Sequence, residues 1–202
     1  MTTVAVGSRA AQKQATRRRI LDLAAQIIGE KGYYGFSLHD LAQRCGLTNG
    51  GLLYHFASKD SLLVAVLRDR DTKNAEAIMA EFGHDKAVYE DLDVLIKTLH
   101  AIAVRASRQP ELVRLFAMLQ GEALSPEHPA YSFFEDRDAA LQAGFTAMVA
   151  PHVCDPQATA CQLLAMLSGL EMIWLKANCS LDLVELWDRS LALLLPAPSS
   201  RD

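Results

Sequence analysis

Apolar residues recur three and four positions apart along most of this 202-residue chain, which is the period of a helix with one buried face. Ile20, Ala24, Ile27 and Ile28 form one such stripe within ATRRRILDLAAQIIGEKG, where Thr16 has the character of a starting cap and Gly32 of a stop. Past Lys59 the helical period continues almost to the end. It is interrupted at Gly83-His84-Asp85, Gln109-Pro110, Ser125-Pro126, Pro151 to Pro156 and Asn178 to Ser180, composed of residues that break helices or start turns. These interruptions delimit six further helices. No strand alternation, internal repeat or low-complexity tract is present, and only the closing PAPSSRD reads as a frayed tail. The predicted fold is all-α.

Between the two regions, SLHDLAQRCGLTNGGLLYHF (Ser37 to Phe56) carries the stop and start signals of two short helices joined by a tight turn. Ser37 can cap an orphan amide, Asp40 stands three residues on as in a capping box, and Phe36 with Leu41 is placed as a hydrophobic staple. That helix should end at Cys45, with Gly46 at the left-handed position after it. Thr48 then caps a second helix across a Leu47/Leu52 staple, so the turn is three or four residues long. Two helices so joined form a helix-turn-helix, an arrangement that places a helix in DNA.

On the second helix Leu52 and Phe56, four apart, face inward and leave Asn49, Gly50, Leu53 and Tyr54 outward. Each of Gly50 and Gly51 costs about 1 kcal/mol relative to Ala in a helix interior, so the pair favours close backbone approach to a large partner. Leu53 on a wet face can pack on a thymine methyl group, and Tyr54 and His55 are potential donors to phosphate. Ser58 caps a further helix. Lys59 in its first turn, like Arg17, Arg18 and Arg19 after Thr16, sets a cation against the helix dipole unless an anion lies close by.

Residues 16 to 67 resemble the DNA-binding domain of the tetracycline-repressor (TetR) family, on Gly32-Tyr33, Ser37, Ala42, Gly46-Leu47-Thr48, Gly50, Leu52, Tyr54-His55-Phe56 and Ser58-Lys59. The resemblance implies that Thr48, Asn49, Gly50, Tyr54, His55 and Lys59 lie nearest the DNA, with Thr16 and Arg17 on its backbone; Ser37 and Leu53 complete the candidate surface. Gly51 stands where the family has Thr or Ala, and Leu53 where it often has an aromatic residue, so base preferences do not transfer. The expected domains are a flexible tail (1–15), the helix-turn-helix domain with its three helices (16–60), and a helical effector-binding and dimerisation domain (61–202).

Charge follows this division. Residues 1 to 60 hold eight Lys/Arg against four Asp/Glu (+4), and the remainder twelve against twenty (−8), giving the net −4 of the whole chain. Basic charge thus gathers around the proposed DNA face. The first 15 residues lack the apolar core of a secretory signal, and no later segment keeps about 20 apolar residues free of charge. The expected location is cytoplasmic, with no membrane partner. Cys45, Cys154, Cys161 and Cys179 form no C-x-x-C pair and have no His at metal-ligand spacing; all four are expected to be small core residues, with no metal or cofactor.

The helix from Gln157 to about Ala177 carries Leu163, Met166, Leu167, Leu170, Ile173 and Trp174, and the last carries Leu183, Leu186, Trp187, Leu191 and Leu194. Both apolar faces are wider than a monomer's surface helix needs, and either intramolecular core or a partner can account for them. The resemblance implies a four-helix homodimer interface, for which the candidates are Leu163, Leu167, Leu170, Trp174, Leu183, Trp187 and Leu191. A dimer sets two recognition helices about one helical turn, roughly 34 Å, apart on a palindromic operator. The resemblance also implies an apolar pocket for a small apolar or amphipathic effector, with His100, Phe116, Leu119, Tyr131, Phe134 and Trp174 as candidates. Glu122 and Glu171 are assigned to helix surfaces.

An enzyme is disfavoured. G-x-S-x-G, a phosphate-cradling Gly-rich loop and H-E-x-x-H are all missing, and the six histidines are scattered. His39-Asp40 hints at a metal phosphohydrolase, but Asp40 already serves the cap. A helical protein-interaction adaptor leaves the cations at helix starts unexplained. The reading is a ligand-released transcriptional repressor, with a helical adaptor or a small-molecule enzyme on the same fold as alternatives.

Overall fold

A computed structural model describes residues 4–83 and 89–195; the frayed tail expected at PAPSSRD and His84-Asp85 of the first interruption lie outside the described residues. Among those described, the secondary structure is helical: α1 (Val4–Gly35), α2 (Leu38–Arg44), α3 (Asn49–His55), α4 (Lys59–Phe82), α5 (Leu92–Ser107), α6 (Pro110–Glu122), α7 (Tyr131–Val149), α8 (Pro156–Lys176) and α9 (Leu183–Leu194). The six helices expected after Lys59 are present at the expected breaks.

The first element departs from expectation. Helix α1 begins at Val4 rather than at Thr16, so residues 4–15 are helical and not a flexible tail. Thr16 is no cap: its hydroxyl donates back to the Gln12 carbonyl at 2.9 Å, as Ser and Thr do inside helices. Ala5, Ala10, Ala11, Lys13, Gln12 and Gln14 are compatible with helix, and a cap-like residue does not end a helix whose upstream neighbours propagate it. The helix does stop at Gly32, which has φ 70° and ψ 175°.

The chain divides into two units, Met1–Asp71 with Arg114–Tyr131, and Thr72–Val113 with Ser132–Asp202. In the first, α1 packs on α2 and α2 on α3; Ile20, Ala24, Ile27, Ile28, Leu41, Leu52 and Phe56 are buried, as their spacing requires. In the second, α9 packs against both α5 and α8. One core there gathers Leu95, Leu99, Ala103, Phe145, Val149, Leu163, Trp187 and Leu191; another joins Ala106, Val113, Trp174 and Leu183.

These cores correct the interface assignment. Leu163, Trp174, Leu183, Trp187 and Leu191 are at most 3% exposed within a single chain, while Leu167 and Leu170 pack partly buried against the same clusters. Five of the seven residues chosen as a dimer face are therefore intramolecular core. A helical period identifies an apolar face without saying which neighbour covers it. The large apolar side chains that α8 and α9 leave to solvent are Met172, Ile173 and Leu193. By length and composition α8 is also long and apolar enough to cross a membrane, although it carries Glu171 and Lys176 and sends Ala160, Leu163 and Trp174 into the cores.

Candidate nucleic-acid interface

The helix-turn-helix forms as its caps dictate. The Ser37 hydroxyl accepts the Asp40 amide at 3.1 Å, and Thr48 Oγ1 accepts the Gly51 amide at 3.0 Å. The turn is Cys45 to Thr48, with Gly46 at φ 62°. The Arg19 guanidinium donates to the Cys45 carbonyl, fastening α1 to the end of α2. Leu52 and Phe56 anchor α3 from below. Its outer face carries Asn49, Gly50, Leu53 and Tyr54, all exposed, with Leu53 at 45% and Tyr54 at 70%. A Cβ on Gly50 would meet only Thr48 Oγ1 at 4.0 Å, so packing within the chain does not require glycine there.

The neighbouring side chains are arranged around this face. Lys13 lies over the Tyr54 ring at 4.7 Å and donates to its hydroxyl at 3.4 Å. Arg17 lies over Phe56 at 4.8 Å. Asn49 Nδ2 is 3.5 Å from His39 Nδ1, and Gln43 Nε2 is 3.1 Å from His39 Nε2, so α2 helps to set the amide at the start of α3. Lys59 is half-buried over the rings of Tyr33 and Phe36, at 4.4 and 5.1 Å.

Several expectations change here. With α1 starting at Val4, Arg17, Arg18 and Arg19 sit inside a helix, so the helix-dipole argument for phosphates near them falls away, and Arg19 is occupied by Cys45. Burial, reinforced by Lys13 and Arg17, holds the His55 imidazole below its ordinary range. Thr48 and Ser37 use their hydroxyls as caps. Lys13 and His39 were missed, because their proximity to α3 depends on tertiary packing.

Behind the interface lies a polar cluster that the sequence did not reveal. Glu122, expected on a helix surface, accepts the Tyr33 amide at 3.1 Å. The Tyr33 hydroxyl donates to Asp60, and burial followed by that carboxylate raises its pKa. His128, 3% exposed, accepts the Ala130 amide on Nδ1 at 3.2 Å, which leaves the proton on Nε2, 3.6 Å from Glu122. Its ring meets Tyr33 edge to face at 5.1 Å. Burial lowers its pKa, against the opposing pull of Glu122 and Asp60.

The effector candidates are divided between the two units. Phe116, Leu119 and Tyr131 belong to the first unit; Phe116 is buried with Arg70 4.3 Å above its ring, and Leu119 is fully buried. His100, Phe134 and Trp174 belong to the second. There Trp174 is core, Phe134 is buried, and His100 Nδ1 lies 2.9 Å from the Asp188 carboxylate on α9, so its ring already has a partner. The cysteine assignment holds for buried Cys45 and in part for Cys179, which packs partly buried against the Trp174 core, whereas Cys154 and Cys161 are exposed. Among the described residues no His, Cys, Asp and Glu cluster suits a metal ion.

Residues 20–66 match the family model of bacterial regulatory proteins, tetR family. The chain is similar to the HTH-type transcriptional regulator UidR of Escherichia coli (strain K12), 28% identical over 102 residues, 50% of either protein. It is also similar to RutR of the same strain, 31% identical over 115 residues, 55% of this chain and 51% of RutR. The chain thus spans about half the length of these relatives. Its fold is similar to that of AibR, solved in complex with isovaleryl coenzyme A and operator DNA, at 20% identity and a TM-score of 0.67 over 90% of this chain and 98% of AibR. Residues 20–66, which hold the helix-turn-helix, thus carry the signature of the tetR family of bacterial regulatory proteins.

Proposed function

We propose that this protein is a cytoplasmic, homodimeric transcriptional repressor that binds a palindromic operator and releases it when a small apolar or amphipathic effector binds. The observation that carries this reading is the outer face of α3, where Asn49, Gly50, Leu53 and Tyr54 stand exposed on a helix whose other side is fixed by Leu52 and Phe56. An apolar and an aromatic side chain left in water beside an amide and a bare glycine suit the edges and methyl groups of a major groove. Dimerisation through α8 and α9 would cover Met172, Ile173 and Leu193. The division between the units falls inside α4 and again inside α6; α4, which begins at Lys59 beside the recognition helix, is the lever for release in this reading: an effector that favours one recognition-helix separation lowers affinity for an operator that needs another. The effector class is the one implied by the family resemblance. AibR supports the combination of ligand and operator, having been solved with both. An effector that left operator affinity unchanged in titration would refute the release mechanism.

Two substitutions probe the face. Lys59→Ala should weaken binding to all sequences and lower the salt slope by about 1 for each subunit bound if its amine reaches a phosphate. If the side chain only braces Tyr33 and Phe36, the cost is about 0.5–1 kcal/mol of stability and the slope does not change. Asn49→Ala should relax preference at one base position by roughly 1–3 kcal/mol. Measuring affinities on a set of singly substituted operators checks this; a uniform loss at every position would remove Asn49 from base reading.

A further inference from the structure

The DNA reading concerns α3 and its flanks. The helix that precedes residue 16 lies outside it and outside the matched residues 20–66. Arg9, Lys13 and Arg17 are four apart on this helix and all exposed, so they occupy about 80° of one face. The first 21 residues hold these three cations with Arg18 and Arg19, and no carboxylate precedes Asp22. Like charges at four-residue spacing destabilise a helix by a few tenths of a kcal/mol per pair, and in this segment no Glu or Asp at i±4 offsets them. A solvated basic face accounts for the charge but not for its direction. Lys13 reaches over the exposed Tyr54 of α3, and Arg17 over Phe56 at the end of α3. The stripe is therefore continuous with the outer face of the recognition helix.

We infer that residues 9–17 form a helical arm that extends the DNA footprint beyond the helix-turn-helix, with Arg9 and Lys13 bound to backbone phosphates flanking the bases that α3 reads. The span from Arg9 to Arg17 is about 12 Å at 1.5 Å per residue, the axial rise of three to four phosphates on one strand. The partner is the polyanionic backbone of duplex DNA, recognised by charge and spacing and not by sequence. This inference rests on α3 being a DNA reader, and the test separates the two.

The full chain is titrated by fluorescence anisotropy, over a range of salt concentrations, onto an operator selected from random duplexes, a shuffled duplex, and the operator trimmed of its flanking base pairs. For the dimer on its operator, Arg9→Ala should lower the salt slope by about 2 and Arg9→Ala/Lys13→Ala by about 4, since each phosphate contact contributes about 0.9 and both subunits lose it. Both variants should keep the preference for operator over shuffled DNA. Trimming should weaken the wild type and leave the double variant unaffected. Alanine preserves helix, and Arg9→Gln/Lys13→Gln repeats the measurement with longer side chains in place. Arg9 does not share the Tyr54 contact of Lys13, so its single substitution excludes an effect transmitted through that ring. A wild type that discriminates, beside variants with the same slope and the same response to trimming, overturns the arm alone. A wild type that does not discriminate overturns the DNA reading and the arm with it.

Discussion

Trp187→Ala will destabilise the second unit by about 3–5 kcal/mol, the usual cost of truncating a buried aromatic residue. Trp187 is fully buried in the core with Leu95, Leu99, Leu163 and Leu191, and its indole donates to the Leu99 carbonyl at 2.8 Å. Truncation opens a cavity and leaves that carbonyl with one partner fewer, which adds to the loss if the group stays dry. Against a typical domain stability of about 5–15 kcal/mol, the change is large enough to move a urea midpoint plainly, with Trp174 still present as the fluorescent reporter. Trp187→Phe keeps most of the packing and isolates the hydrogen bond, at about 1 kcal/mol. The pair also tests the correction made to the dimer face. Were Trp187 an interface residue, its truncation would act mainly on association, and the loss would fade as protein concentration rises. A concentration-independent loss is the expected result.

Gly32→Ala is the second large effect, in the first unit. At φ 70° and ψ 175° Gly32 occupies a region nearly reserved for glycine, costing any other residue about 1–3 kcal/mol. A Cβ there would also stand 2.6 Å from Glu122 Oε1, forcing away the carboxylate that accepts the Tyr33 amide. Losing that acceptor costs about 1–3 kcal/mol more where the amide stays dry. The combined loss, about 2–6 kcal/mol, is to be read by denaturant unfolding. Glu122→Ala removes the clash, so in a double-mutant cycle Gly32→Ala should cost less on that background, with a coupling of about 0.5–3 kcal/mol. Strict additivity would show that backbone strain alone decides the cost.

The helix-turn-helix was legible because its signals are local. Ser37, Gly46 and Thr48 act within four residues of their own positions, and the Leu52/Phe56 spacing fixes which side of α3 is exposed. The six later helices were legible because Pro, Gly and Asn punctuate them. What could not be read depends on tertiary contact. Thr16 has the character of a cap, yet the helix passes through it and carries Lys13 to Tyr54. Glu122 has the pattern of a surface residue, and only the fold brings it to Tyr33, 89 residues away in the chain. Trp174 and Trp187 lie on apolar stripes, but periodicity does not distinguish a chain's own core from a second copy. The exposure of Cys154 and Cys161 was likewise invisible, since the bias of cysteine toward burial is a tendency that individual positions escape.

Selection of bound duplexes from a random library, followed by anisotropy titration of the enriched sequence against its shuffled counterpart at two salt concentrations, bears on the DNA-reading face above all. The expected result is an enriched palindrome bound in preference to its shuffle, with log affinity falling linearly as log salt rises. Failure of any sequence to enrich, or equal and salt-insensitive binding of the enriched and shuffled duplexes, would contradict the assignment of Asn49, Gly50, Leu53 and Tyr54 to DNA.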